Sequence, residues 1–416
     1  MRRRRFSWPV VAALLAALFH ASPSIARHQW VGSWASAQML VDPKDALPAS
    51  ATDITLRQLI RTSIGGSRIR LKVSNAFGRT PLTIASVNIA RAASPGSSRI
   101  VAATDRPVTF AGARTITIPE GAEYVSDPLD FMVAGLTTLA ISMHITDLPK
   151  LETGHPGSRA TSYFVRGDQR SAPELSGAAT TDHWYFVTGL DVDPGRPAKA
   201  IAVLGDSITD GHGVASNTDT RWPDYLAARL QASPATRAVG VLNLGIGGNR
   251  VLEDGLGPNA IARFDRDVLA RSGVRYLVIL EGVNDLGVLT RDAPTSPAAH
   301  RALVQRMLSA YAQIVARAHD RGIKVIAGTI MPYGASGYYH PTAANEIDRA
   351  AINAWLRAPG HADAVIDFDA IMRDPKHPER LRKDLDSGDG LHPSAAGYRL
   401  MGYSVPLSLF TSRRVP

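Results

Sequence analysis

Along the first half of the chain, apolar residues recur at every second position. Leu139, Ile141, Met143 and Ile145 alternate with Ala140, Ser142 and His144, the period of a strand with one face buried. This pattern runs from Trp30 to about Asp193, and further strands are expected at residues 82–89, 115–118 and 163–165, separated by glycine, proline and serine. Residues 56–64 and 67–74 flank Gly65-Gly66, which predicts a two-residue hairpin turn that would set Ile60 opposite Leu71. An antiparallel sandwich or jelly-roll is the expected architecture.

The pattern changes at Pro194-Gly195-Arg196-Pro197, a stiff connector poor in ladder donors. After it, apolar runs at 201–204, 241–244, 276–280, 325–327 and 364–368 alternate with helical stretches. The clearest helix spans about 298–320, with Leu303, Met307, Tyr311, Ile314, Val315 and Ala318 on one face and Gly322 as its stop. Strands alternating with helices imply right-handed crossovers and a parallel sheet covered on both sides. A length of 416 residues exceeds what one core usually serves. The expected division is therefore a β-domain over 27–195 and an α/β domain over 196–416.

The first 26 residues read differently. Arg2 to Arg5 precede an apolar stretch from Trp8 to Ala21 and the small-residue site Ser24-Ile25-Ala26, the layout of a cleaved export signal. The apolar run is too short to span a bilayer comfortably, so a secreted or periplasmic protein beginning near Arg27 is expected. Arg3-Arg4 followed by Phe6 loosely fits a twin-arginine signal as well, which leaves the export route open. Removing this segment lowers the formal charge from +9 to +5. The remaining basic residues are scattered, which argues against a nucleic-acid partner. The chain has no cysteine, which excludes disulfides, thiolate metal sites and a cysteine nucleophile.

Four segments carry candidate chemistry, and three of them follow strands of the parallel sheet, where ligands bind in such folds. Ser207, in Leu204-Gly205-Asp206-Ser207-Ile208, comes just after the first strand; it reads as a nucleophile near a helix N-terminus or as a simple helix cap. Asn243-Leu244-Gly245-Ile246-Gly247-Gly248-Asn249 follows the second strand, where glycine lets a backbone N–H approach a ligand, or merely makes a turn. Gly282-Val283-Asn284-Asp285 follows the third; Asn284 could donate its amide to an oxyanion, or this pair could cap a helix. Asp389 and His392 lie three residues apart before a helical run at 394–401. One tight turn there can set the carboxylate on one imidazole nitrogen and leave the other for a serine. A turn aspartate and a surface histidine is the alternative.

Taken in order, these four segments resemble the four signature blocks of the SGNH or GDSL hydrolase family, over residues 199 to about 405. The resemblance implies a flavodoxin-like three-layer α/β/α domain. It also implies Ser207 as nucleophile, Asp389 and His392 as its partners, and an oxyanion hole of the Ser207 N–H, Gly248 and Asn284. Ile208 replaces the familiar leucine, and Thr209 stands where an α/β-hydrolase elbow needs glycine. The N-terminal segments Trp30-Val31-Gly32-Ser33-Trp34, Leu56-Arg57-Gln58 and Ser74-Asn75-Ala76-Phe77-Gly78 resemble the leading β-domain of secreted members grouped with acetylxylan esterases.

The expected function is a serine esterase acting without cofactor or metal on a short acyl ester, most simply O-acetyl on a polysaccharide or oligosaccharide. A lipase or lysophospholipase role, an acyltransferase and a non-catalytic carbohydrate-binding protein are the alternatives. Tyr333, Tyr338, Tyr339 and His340 could line a sugar site or form an ordinary packed loop. Trp34, Trp184 and Tyr185 could present a binding face or fill the core of the β-domain.

Overall fold

The computed structural model describes residues 29–48 and 52–411; the segment 1–26, expected to be an export signal, lies outside them. The N-terminal region consists of antiparallel sheets. One contains Val31–Ala35, Val187–Asp193, Gly66–Ser74 and Glu123–Val125 in spatial order, with Leu129–Val133 also paired to Gly66–Ser74. The larger contains Ala179–Thr181, Ser162–Arg166, Ile54–Arg61, Thr138–Asp147, Leu82–Arg91 and Arg106–Val108, with Ile116–Ile118 beside Leu82–Arg91. A third, small sheet joins Trp184–Tyr185, Thr153–His155 and Met39–Leu40.

The hairpin expected at Gly65-Gly66 does not form. Ile54–Arg61 and Gly66–Ser74 lie in different sheets, so Ile60 pairs with Leu139 and Leu71 with Leu190. Neither glycine has a positive φ, the conformation a two-residue hairpin turn demands. Both serve close approach instead: a Cβ on Gly65 would fall 2.3 Å from Val133 O, and one on Gly66 2.5 Å from Asp193 O. The half-buried reading of residues 139–145 also needs correction, because the outer face is covered too. Ala140 packs with Leu59, Ala90 and Ile100. Arg57, fully buried, donates to Ser142 Oγ and to the carbonyls of Ser98, Arg170 and Ala172, pinning those segments over the strand. Trp34, Trp184 and Tyr185 are buried, and the two tryptophans meet edge to face at 4.9 Å. They fill the core.

The C-terminal region contains a five-stranded parallel sheet. In chain order its strands are Lys199–Gly205, Val239–Gly245, Val274–Leu280, Lys324–Gly328 and Ala364–Ile366, and in space they run second, first, third, fourth, fifth. This is the flavodoxin-like order with its switch point beside the first strand. Among the described residues eight α-helices accompany it: α1 Ser207–Asp210, α2 Trp222–Ala232, α3 Ala260–Phe264, α4 Val283–Arg291, α5 Pro297–His319, α6 Ala343–Arg357, α7 Phe368–Met372 and α8 Ala395–Ser404. α2 packs on α8 and α8 on α7, while α3, α4, α5 and α6 form a second group. The strands between are almost wholly buried, as coverage on both faces requires. The long helix closely follows its apolar periodicity: Leu303, Met307, Tyr311, Ile314 and Ala318 are buried, joined by Ala310. Among the described residues no helix is long and apolar enough to cross a membrane.

The β-region covers one edge of this sheet. Ser63 Oγ accepts the Val241 N–H at 2.9 Å, and Gly240 passes so close to Gly32 that a Cβ would lie 2.5 Å from its carbonyl. The second strand is thereby closed off as an edge.

Candidate active site

Register places the functional segments at one level. Gly205 stands opposite Gly245 on one side and Leu280 on the other, so the residues that follow all three strands converge at their carboxyl ends. Ser207 begins α1, but it does not cap it. Asp206 does, its carboxylate accepting the Ile208 N–H at 2.9 Å, which leaves the serine hydroxyl free for another partner. That partner is His392, whose Nε2 lies 2.8 Å from Ser207 Oγ. On the far side of the ring, His392 Nδ1 meets Asp389 Oδ2 at 2.6 Å. The other Asp389 oxygen accepts the N–H groups of Leu391 and His392 at 2.9 and 2.8 Å. Burial pushes the Asp389 carboxyl up, but these N–H donors and the imidazole outweigh it and hold its pKa near about 2. The carboxylate is therefore ionised wherever the protein is folded near neutral pH, and it can orient the imidazole and balance an imidazolium.

α1 is a single turn, too short for the full helix dipole that a longer helix would offer. What it supplies is a free backbone donor, since the N–H of Ser207, first in the helix, has no intrahelical acceptor. Gly248 adopts φ +73°, and a Cβ there would collide with Leu256 at 2.5 Å. Gly282 has φ +113°, and any side chain would run into Tyr311 and Met307. This left-handed turn sets Asn284 in the first turn of α4. There its Nδ2 donates to Asn249 O at 2.7 Å, while its Oδ1 accepts from the Tyr339 hydroxyl at 2.6 Å. An amide carries two N–H groups, so one remains for a ligand.

The supporting residues could not be read from the sequence. Arg263, fully buried, donates to Gly205 O, Leu244 O and Asn249 Oδ1 at 3.0, 2.7 and 2.9 Å, tying the ends of the first two strands to the glycine loop. Asp285 accepts the N–H groups of Val251 and Leu252 at 2.8 and 3.0 Å and so fixes the far end of that loop. Tyr339 packs flat on α4 because Gly287 leaves room; a Cβ there would lie 2.4 Å from its ring. Of the aromatic loop, Tyr333 and Tyr339 are buried, whereas Tyr338 is 60% exposed and lies under the Arg291 guanidinium. Gly390 in the Asp389–His392 turn presses on Ala335 of the same loop.

Behind Ser207 sits a crowd of buried carboxyls. Burial, reinforced by Asp285, raises the pKa of Asp206 to about 7 despite the Ile208 N–H. Burial and then Asp206 push Glu281 well up, and neither of its oxygens has a hydrogen-bond partner. Asp285 is raised by burial to about 6, held back by its two loop N–H donors. Arg263 is 3.8 Å from Glu281 but is shared with Asp267. So few positive charges cannot support three ionised carboxylates in a dry site.

His212 stacks on His392, ring centroids 4.0 Å apart, and with Asp389 the three offer ligand atoms within 4.8 Å of one another. Both His392 nitrogens are already engaged, by Ser207 and Asp389. A metal here would have to break that chain of hydrogen bonds.

Residues 203–400 match the model of the GDSL-like lipase/acylhydrolase family. This chain carries a GDSL-like hydrolase domain. Among solved structures, a protein described as lipolytic and of the G-D-S-L family from Desulfitobacterium hafniense is similar to it, at 22% identity over 50% of this chain and 97% of the other, with a TM-score of 0.37. A protein described as an acylhydrolase from Bacteroides fragilis is 21% identical over 52% and 89%, TM-score 0.37. A catalytic mutant of an acetylxylan esterase from Geobacillus stearothermophilus is 20% identical over 50% and 91%, TM-score 0.37. No curated protein matches the sequence. The GDSL domain occupies the C-terminal half, and the β-region precedes it.

Proposed function

We propose that this GDSL enzyme is a serine esterase that removes short acyl groups, acetyl above all, from carbohydrate outside the cytoplasm. The single observation that carries the chemistry is the unbroken line from Ser207 Oγ through His392 to Asp389, at 2.8 and 2.6 Å. In this reading His392 Nε2 takes the serine proton as Oγ attacks the ester carbonyl. The carbonyl oxygen, now negative, is held by the N–H groups of Ser207 and Gly248 and by Asn284 Nδ2. Collapse of the tetrahedral intermediate breaks the C–O bond, and the proton on His392 passes to the leaving alcohol. Water, deprotonated by the same imidazole, then releases the acid from the acyl-enzyme and restores the serine.

The substrate class rests on two supports. Tyr338 is an exposed ring with one face under the Arg291 guanidinium, next to Tyr339 at 4.8 Å between centroids, and Tyr339 touches the proposed oxyanion donor; an aromatic face left to solvent can stack on a sugar ring. The N-terminal segments also resemble those of secreted acetylxylan esterases, and the leader-like start fits export. A graded series of 4-nitrophenyl esters, followed by acetylated oligosaccharides, tests this. The reading expects kcat/KM to be highest for acetate and acetate to be released from the glycans. Activity that rises with acyl chain length would transfer the protein to the lipase class. Preferential formation of a new ester with an added alcohol would make it an acyltransferase.

A further inference from the structure

The β-region reaches the GDSL site through its loop at residues 155–161. His155 bridges the two regions, Nδ1 against Ala37 O at 2.8 Å and Nε2 against Asp210 Oδ1 at 3.0 Å, at the end of the helix that Ser207 begins. Gly157 passes so close to Asp210 that a Cβ would lie 1.9 Å from its carboxylate. Arg159 follows in a left-handed conformation, φ +50°, which residues with a side chain seldom adopt. It is pinned there from the catalytic side: its carbonyl accepts the Asn217 N–H at 2.8 Å, and Asn217 Oδ1 accepts the Thr161 N–H at 2.8 Å.

The side chain so presented has nothing in the protein to bind. Among the described residues the Arg159 guanidinium makes no hydrogen bond or ion pair, and its Nε is enclosed without a partner. Carboxylates in this part of the fold are taken, Asp210 by His155, Asp389 by His392, and Asp219, which lines a cavity with Arg159, by Arg61 at 3.5 Å. Its position is marked by the groups that feel its charge. The His212 imidazole is held below its usual pKa by burial, then by His392, then by Arg159; burial raises the Tyr398 phenol, and Arg159 is the first influence against it. His212 is stacked on His392, and Tyr398 donates to the His212 carbonyl at 2.8 Å. Arg159 thus follows the loop's contact with Asp210, at the end of the helix that Ser207 begins, and its charge reaches the His212 ring stacked on His392.

We propose that Arg159 receives an anionic group, carboxylate or phosphate, on the alcohol part of the ester, so that the enzyme prefers O-acylated acidic sugars to neutral ones. This rests on the esterase reading above. With Nε enclosed, the outer edge of the guanidinium is left to face the ligand, and its paired N–H donors match either oxyanion. The β-domain thereby carries the specificity residue of a site whose reacting groups belong to the other domain.

Three aryl acetates that differ only in the para substituent test this: 4-acetoxybenzamide, 4-acetoxybenzoate and 4-acetoxyphenyl phosphate. The native enzyme is expected to show kcat/KM about tenfold or more higher for at least one charged ester than for the amide. A preference for one of the two names the anion. That ratio should shrink as salt is added, fall towards one in Arg159→Gln and stay partly intact in Arg159→Lys. Equal rates on all three esters in the native enzyme would overturn the proposal while leaving the esterase reading in place. No cleavage of any would overturn both. The native ratio decides the matter even if a variant folds poorly.

Discussion

Replacing Tyr339 by phenylalanine removes one hydroxyl and, with it, the hydrogen bond that Asn284 Oδ1 accepts at 2.6 Å. The ring stays, seated on Gly287, so packing is preserved. What changes is the amide of the proposed oxyanion donor. Asn284 is 2% exposed, so its oxygen loses its partner without gaining water, a penalty of about 1 to 3 kcal/mol divided between folding and the transition state. The part that reaches the transition state comes from a less firmly oriented and less polarised N–H. We expect kcat to fall by about three- to tenfold, or about 0.7 to 1.4 kcal/mol, with KM nearly unchanged, because the oxyanion exists only after attack. Asn284→Ala should cost more, about 10² to 10³ in kcat. The assay is steady-state hydrolysis of an acetyl ester by the two single variants and the double variant. If Tyr339 acts through Asn284, adding Tyr339→Phe to Asn284→Ala costs nothing further. A double variant that loses the full factor again would refute the reasoning.

Other perturbations follow from the same structure. Glu281→Gln removes a buried carboxyl that has no hydrogen-bond partner and whose pKa is raised; a raised pKa means that the folded state binds the proton more tightly, so stability falls as pH rises above the usual carboxyl range. The variant should therefore melt higher than the native protein at pH about 8, with a smaller gain at pH about 5, and a lower melting temperature at the higher pH would contradict this. For Asp389 the sign is opposite: its pKa is depressed to about 2, so its stabilising contribution is present above the unfolded carboxyl range and is lost as pH falls from about 4 to about 2. Asp389→Asn should flatten that part of the acid-unfolding curve, and an unchanged curve would remove Asp389 from the account. Gly248→Ala would require a left-handed alanine, about 1 to 2 kcal/mol, and would displace Leu256; we expect a drop in kcat with the fold intact by circular dichroism, and native kcat would mean that this loop does not hold the oxyanion.

The α/β half was legible because periodicity there reports burial directly. Strands buried on both faces read as continuous apolar runs, and the long helix kept its stripe. Ser207, Gly248, Asn284, Asp389 and His392 could be picked out because each sits just past such a strand or before a helix, and the structure brings them to one sheet edge. The β-half was harder. Gly65-Gly66 carries the composition of a tight turn, but its glycines serve the crossing of two sheets, a long-range demand that no local pattern contains. Arg57 looks like a surface residue in sequence, yet it satisfies four acceptors inside the fold. The roles of His155, Arg263 and Tyr339 come from partners at least 14 residues away in the chain, and the Arg159 backbone is held by Asn217, which is also distant, so no spacing rule points to these roles. Tyr333, Tyr338 and Tyr339 looked alike as a motif; burial separates the one exposed ring from the other two.

The central claim is that Ser207 becomes acylated during turnover. Native enzyme and the Ser207→Ala and His392→Ala variants can each be mixed with an acetyl ester, quenched in acid and digested for peptide mass spectrometry. The account predicts acetyl on the peptide bearing Ser207 in the native protein, and none in either variant, with both variants folded and inactive. Turnover by Ser207→Ala, or an acyl group found on another residue, would contradict it.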